Sequence, residues 1–448
     1  MEKKTQRNAI TEGNLLGEMI RFSVPYLIAC FLQNFYGLAD LFIVGRFNDA
    51  ASVTAVSVGS QMMHMLTVVI VGLAMGTTVS ISYAVGAGKN KEAAKVIGNS
   101  ILLFSTFAIL LTILLMSSIR LILGALQTPP EAMGEAVSYL RICFGGILFI
   151  TAYNLISSIF RGLGDTRRPM IFVALAGILN IGLDLLFIGA FRMGAFGAAL
   201  ATVISQGVSV LIALLSLRRM HLALRLSKAD ATYSRPVLGK VLSIGVPIAL
   251  QDGFIQISFL VITMIANSRG VVIAASVGIV EKIISFLFLV PSAMLSTVSA
   301  LAAQNAGAGY HERSRQVLRY GIRICLIFGI CIFLVCQIVP GPVVSLFVHD
   351  EPEVVRYGAQ YLMTYALDCI FAGVHFCFSG FFSAYDKSIY SFIHNLLSIL
   401  LVRIPGALLA SRYFPGTLYP MGLAAPMGSL LSCIICLFFY SRLRRQTD

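Results

Sequence analysis

Residues Phe22 to Val44 read FSVPYLIACFLQNFYGLADLFIV. A helix needs about 20 predominantly apolar residues to cross a bilayer, and this run supplies them. Its one carboxylate, Asp40, sits deep in the segment, where a charge costs at least ~2.5–3.5 kcal/mol. A group that expensive marks an ion or substrate pathway by default; the alternative is a structural polar contact between helices. Gln33, Tyr36 and Asp40 are spaced by three and four residues, which sets them on one helical stripe. Pro25, in the same run, removes an i→i−4 hydrogen bond, so a kink is expected there.

The rest of the chain repeats this character. Of its 448 residues 58% are hydrophobic and only 12% charged, with a mean hydropathy of +0.87. A soluble domain carries roughly 25% charged residues. The composition therefore indicates an all-α polytopic membrane protein, with 39 glycines suited to close helix packing. Tryptophan is absent, leaving Tyr and Phe to form any interfacial belt.

Gaps at charged and Gly/Pro clusters place about twelve spans, beginning near Leu16, Ser52, Ala94, Ala132, Pro169, Gly194, Leu238, Val272, Arg315, Glu353, Ile389 and Leu418. Most cations fall in the even-numbered connections and at the ends: Lys3, Lys4 and Arg7; Lys89, Lys91 and Lys95; Arg161, Arg167 and Arg168; Arg218 to Arg235; Arg313, Arg315 and Arg319; Lys387; and Arg442, Arg444 and Arg445. Odd-numbered connections hold single cations, such as Arg46, Arg120, Arg192, Arg269 and Arg412. By the positive-inside rule both termini are expected in the cytoplasm and the protein in the cell (inner) membrane. The net charge of +13 thus reports topology, and no nucleic-acid partner is expected. The polar segment Met1–Gly17 reads as the approach to an uncleaved first helix.

The two halves resemble each other. Gly86-Ala87-Gly88 returns as Gly307-Ala308-Gly309, Ala74-Met75 with Thr78-Val79-Ser80 as Ala293-Met294 with Thr297-Val298-Ser299, Tyr139-Leu140 as Tyr361-Leu362, and Pro25 as Pro247. The offset stays near 222 residues (247 − 25 for the prolines). Six spans per copy is an even number, so the copies enter the membrane from the same side, and a pseudo-two-fold axis along the membrane normal is expected. The expected organisation is an N-terminal lobe over 1–217, a basic linker over 218–236 and a C-terminal lobe over 237–448.

A second polar group, Asn180 and Asp184, lies at i, i+4 on one face, and Thr202 and Asn154 are candidates to complete it. Two carboxylates brought together in low dielectric need a proton or a cation between them, the physical basis for coupling to H⁺ or Na⁺. The alternative is an acid satisfied by neighbouring hydroxyls and amides. The second half places Thr263 and Pro405 near the positions equivalent to Asp40 and Asp184, and has its own charges: Asp252, Glu281, Lys282, Asp368 and Arg403. Adjacent residues diverge by about 100° on a helix, so Lys282 is expected to meet an acid on another helix, Asp368 or Asp252, as a structural ion pair.

Other signals lead away from chemistry. His64, His375 and His394 show no metal-ligand spacing and read as core residues. The nine cysteines all fall in apolar segments, and Cys433-x-x-Cys436 has no second pair. Gly86-Ala87-Gly88-Lys89 lacks the earlier glycine and the Ser/Thr of a phosphate loop. No nucleophile–base arrangement stands out. An enzyme is not expected, nor a metal or a cofactor beyond the coupling ion, H⁺ or Na⁺.

With its two six-helix copies, its repeated Gly-Ala-Gly and its Arg161-Gly-Leu-Gly-Asp165-Thr166 stretch, the chain resembles the multidrug and toxic compound extrusion (MATE) transporters over nearly its whole length. Asp40 with Asn180 and Asp184 looks like the DinF-type branch. That resemblance implies a proton-linked switch at Asp40, with Asp184, Asn180, Tyr139 and Thr202 in coupling and Gln33, Tyr36, Asn154, Asn180 and Asp40 in substrate binding. It also implies a C-lobe polar site at Asp252, Gln256, Lys282 and Asp368, although Gln256 stands where the NorM-type branch has an acid, and Na⁺ binding near Asp184 stays open. The expected partners are small amphipathic, often cationic substrates and the lipid bilayer, with a monomer as the working unit. Export by antiport with H⁺ through alternating access is the leading expectation; Na⁺-coupled antiport and a lipid-linked precursor flippase are the alternatives. The mainly acidic intramembrane charge of the first half disfavours the anionic cargo a flippase would carry.

Overall fold

The computed structural model describes residues 13–219, 232–348 and 351–447. Lys3, Lys4, Arg7, Arg225 and Lys228, and most of the expected linker, lie outside the described residues. Every regular element among the described residues is helical.

The spans are α1 (Leu15–Phe47), α2 (Ala50–Gly86), α3 (Asn90–Ala125), α4 (Pro130–Gly145 and Ile147–Gly162), α5 (Arg167–Ala190) and α6 (Gly194–Arg219). The second set is α7 (Arg235–Asn267), α8 (Val271–Gly307), α9 (His311–Ile338), α10 (Pro352–Tyr365 and Asp368–Ala384), α11 (Ser388–Tyr413) and α12 (Tyr419–Thr447). Ten are long and apolar enough to span alone, and the two bent pairs make twelve. Each begins within four residues of its expected start.

By internal contacts, Val24–Leu242 forms one compact unit, and Ser243–Asp448 forms another together with the start of α1 up to Ser23. The division therefore cuts α1 between Ser23 and Val24, next to Pro25. Within the Val24–Leu242 unit, Asn99 of α3 holds the approach to α7. Its amide donates to Thr232 O at 3.2 Å, and its carbonyl accepts from Ser234 N at 2.8 Å.

Local geometry repeats as the sequence does. Gly88 and Gly309 both adopt left-handed φ (74° and 82°). The following N–H groups, of Lys89 and Tyr310, close back to Ala84 O and Asn305 O at 2.9 Å each. This is the Schellman closure, and it explains why glycine recurs there. The same closure ends α4, where Asp165 N reaches Phe160 O across Gly164 (φ 89°), and α10, where Lys387 N reaches Phe382 O across Asp386 (φ 58°).

Both copies bend at related places, and each contains a π-turn. The two parts of α4 meet at 45° and those of α10 at 43°. α5 passes into a π-turn at Leu185–Ala190, directly after Asp184, and α11 into one at Ile399–Arg403. π-turns re-aim side chains and concentrate at functional sites.

Small residues set the closest crossings. A Cβ on Gly162 of α4 would lie 3.0 Å from Thr78 O of α2, and one on Gly380 of α10 would lie 2.5 Å from Leu295 O of α8. Large apolar side chains such as Phe42, Leu121, Ile178 and Ile338 are more than two-thirds exposed. That surface is suited to lipid and unfavourable in water.

Candidate functional site

The Val24–Leu242 unit brings the expected acids together. Asp40 of α1 and Asp184 of α5 are both buried, with their carboxyl groups within hydrogen-bonding reach of each other. Thr202 of α6 donates its hydroxyl toward Asp40 Oδ2 at 3.5 Å. Asn180 is buried one turn before Asp184. Asp40 Oδ1, both Asp184 oxygens and both amide atoms of Asn180 have no hydrogen-bond partner among the described residues. Buried polar atoms are almost always satisfied, and an oxygen-rich set of this kind is chemically suited to a proton, a cation or water. Among the described residues no basic side chain acts on either acid.

Around this pair the stripe of α1 is only partly engaged. Tyr36 OH accepts from Gln206 Nε2 at 3.2 Å, and Gln33 lies beside the same hydroxyl. Tyr139 is buried close to Asp40, and its hydroxyl pairs with Ser60 Oγ at 3.1 Å. Its ring packs where Gly59 leaves room, since a Cβ there would lie 2.2 Å from Tyr139 Cδ1. Asn154 instead donates to Ile150 O of its own helix at 2.9 Å, and no hydrogen bond ties it to the acids. Gln206 and Ser60 were not anticipated. Gln206 is four residues beyond Thr202, on the same helical face, and that spacing was the available signal.

The second half holds a different cluster. Glu281 of α8 accepts from Thr263 Oγ1 at 3.0 Å, and Arg403 of α11 acts electrostatically on both Glu281 and Asp368. Arg403 donates to Tyr365 OH at 2.5 Å and lies 4.7 Å from the centre of the Phe259 ring. The expected Lys282 pair is not formed. Lys282 is exposed and makes no ion pair with Asp368 or Asp252, because its neighbour Glu281 takes the inward direction on the helix. Asp252 is contacted instead by Gln251 Nε2 at 3.4 Å, and no hydrogen bond joins Gln256 to Asp368. Among the described residues no three His, Cys, Asp or Glu side chains converge as metal ligands.

Twelve apolar spans in two copies, with unpaired acids in the interior of one of them, define a polytopic membrane transporter. The MatE family model matches the chain twice, over residues 25–186 and 247–409, and the chain belongs to that family. The two matches begin 222 residues apart (247 − 25), the offset at which the motifs recur. Members of the family are transporters and not enzymes. Probable multidrug resistance protein YpnP of Bacillus subtilis (strain 168) is 30% identical over 96% of this chain and 96% of its own length. Probable multidrug resistance protein NorM of Thermotoga maritima is 26% identical, covering 95% of this chain and 90% of its own length. A solved structure described as MATE in the bent conformation superposes with a TM-score of 0.91 at 21% identity, covering 99% of both chains. That likeness concerns the fold.

Proposed function

We propose that this protein exports small amphipathic, often cationic compounds in exchange for protons, by alternating access, with Asp40 as the proton-binding residue. The observation that carries this reading is the meeting of Asp40 and Asp184 in a buried site with no basic partner. Two carboxyl groups within hydrogen-bonding reach repel each other unless a proton or cation lies between them. The names of the relatives as multidrug resistance proteins support export of drug-like cargo.

In the proposed cycle Asp40 takes a proton from the outside and α1 bends about Pro25. The cargo leaves, the protein turns inward, and Asp40 releases the proton to the cytoplasm. Asp184 and Asn180 tune the exchange, as in the DinF-type branch. The protein sits in the cell membrane with both termini cytoplasmic, as its cation distribution favours. A second reading keeps the site and replaces H⁺ with Na⁺: Asp40 Oδ1, both Asp184 oxygens and Asn180 Oδ1 form an unpartnered oxygen set suited to a hard cation.

Efflux of a fluorescent organic cation from proteoliposomes, with a pH gradient and a Na⁺ gradient imposed separately, tests both. Efflux should follow the pH gradient and be abolished in Asp40→Asn, with the variant still folded. Undiminished efflux by that variant would overturn the assignment; dependence on Na⁺ alone would replace the proton.

A further inference from the structure

The two copies differ in the sign of the charge that their π-turns deliver. In α5 the residue immediately before the π-turn is Asp184, which joins Asp40. In α11 the last residue of the π-turn is Arg403, 93% buried and turned toward Glu281 and Asp368. One site holds two acids and no base. The other holds two acids and a guanidinium, fixed by the Tyr365 hydroxyl at 2.5 Å and by the face of Phe259.

The guanidinium does not close on either acid. Among the described residues no ion pair of 4.0 Å or less joins it to Glu281 or Asp368, Arg403 Nε and Glu281 Oε1 lack hydrogen-bond partners, and Asp368 has only the Ser429 hydroxyl beside it. It therefore acts through its field. In a low-dielectric interior a fixed positive charge near two carboxylates offsets much of the cost of burying them. A planar guanidinium held between a hydroxyl and an aromatic face is suited to that task, being always charged and weakly hydrated.

We propose that Arg403 is a built-in cation for the C-terminal half, doing for Glu281 and Asp368 what a bound proton or ion does for Asp40 and Asp184, so that the C-terminal acids require no cation from solution. The contrast with the first half rests on the function proposed above, but the role of Arg403 can be tested without transport.

The test is the thermal unfolding of the purified full chain in nanodiscs, with Na⁺ exchanged for choline at constant ionic strength. The readout is the Na⁺-induced shift of each variant beyond that of the unmutated protein. Arg403→Gln leaves two buried acids without their positive charge and should gain an extra shift of about 1 °C, the size expected when a newly bound ligand adds roughly 1 kcal/mol to a chain of this length. Arg403→Lys, which keeps a positive charge, should gain none. The extra shift should persist when Asp40→Asn is added, which separates this result from the fate of the proton-switch assignment. Should Arg403→Gln not be recovered folded, adding Asp368→Asn should restore recovery by removing one of the stranded acids. An Arg403→Gln protein with no extra Na⁺ response, an equal response in Arg403→Lys, or a double variant that fails to recover would each overturn the proposal.

Discussion

The hydroxyl of Thr202 stands 3.5 Å from Asp40 Oδ2 and 3.0 Å from the carbonyl of Ala198, one turn earlier on its own helix. It has one proton to give and two acceptors to choose between. When Asp40 is ionised the proton is better spent on the carboxylate; when Asp40 is protonated the hydroxyl can return to the backbone. Thr202 is thus placed to respond to the state of Asp40 at almost no cost to its helix. The bond to Asp40 is long, so its net effect is modest. Thr202→Val should leave the helix intact and lower efflux driven by a pH gradient a few-fold, which corresponds to about 1 kcal/mol. Thr202→Ser should retain most of the activity, because the hydroxyl is what matters. Initial rates in proteoliposomes, normalised to protein, decide between them.

Gly309 isolates a backbone effect. Its φ is +82°, and a Cβ built there meets nothing within 4 Å. Any loss on substitution must therefore come from the left-handed conformation and not from crowding. Gly309→Ala should destabilise the protein by about 1 kcal/mol, and Gly309→Asn by less, since Asn tolerates this region better. Comparing the unfolding midpoints of the two variants in one detergent checks the order.

Why the sequence foretold some features and not others follows from particular residues. Gly88 and Gly309 close their helices by the same Schellman geometry with the same residue type, so the repeat shows as a motif. The matching closures across Gly164 and Asp386 use different residues, and nothing in the composition marks Asp386 as a left-handed cap. Asp40 was legible because a carboxylate in an apolar run is anomalous on sight, and Asp184 for the same reason. Their meeting was an inference from likeness and chemistry, since pairing between α1 and α5 is a long-range property. Arg403 was seen as an intramembrane charge, but its role was assigned to Lys282. Which of Glu281 and Lys282 faces inward depends on helix rotation, and adjacent residues alone do not fix that. The π-turns left no signal in the hydrophobic pattern, although they aim both Asp184 and Arg403.

Arg269 lies in the short connection between α7 and α8, on the side where few cations are expected. Its guanidinium donates to three carbonyls of the loop between α11 and α12: Phe414 at 3.3 Å, Pro415 at 2.6 Å and Thr417 at 3.4 Å. The charge there is a clamp on that loop and carries no topological message. Arg269→Ala should lower stability by about 1–2 kcal/mol, the range for hydrogen bonds from a charged donor partly open to water. Arg269→Lys should recover only part, because one guanidinium nitrogen, Nη2, meets all three carbonyls, and the lysine ammonium is one atom shorter in reach and more strongly hydrated. Limited proteolysis within 414–417 would register the loosened loop, and an unchanged cleavage rate in Arg269→Ala would remove the clamp from the account.

Gly380 brings two helix backbones together in the second unit. A Cβ at this position would lie 2.5 Å from Leu295 O and 3.1 Å from Ser299 N, both backbone atoms of α8. A flexible side chain can move aside, whereas a helix backbone cannot without shifting the whole segment, and Thr297 and Ser299 on that segment are fully buried. Gly162 makes the related crossing in the first unit, where the nearest backbone atom, Thr78 O, is at 3.0 Å and the closest obstacle is the Ile81 side chain at 2.7 Å. The two glycines therefore grade differently. Gly380→Ala should cost at least ~2–3 kcal/mol by overpacking and greatly reduce the yield of monodisperse protein, and Gly162→Ala should cost less because its nearest backbone atom is farther away. Replacing Ile81 with Ala alongside Gly162→Ala should recover part of that loss by removing the crowding Cγ2, while Leu295→Val should do nothing for Gly380→Ala, whose clash is with a carbonyl. Gel-filtration yield and unfolding midpoint measured on the four variants test the ranking, and a rescue of Gly380→Ala by Leu295→Val would show that the backbone contact is not what makes glycine necessary there.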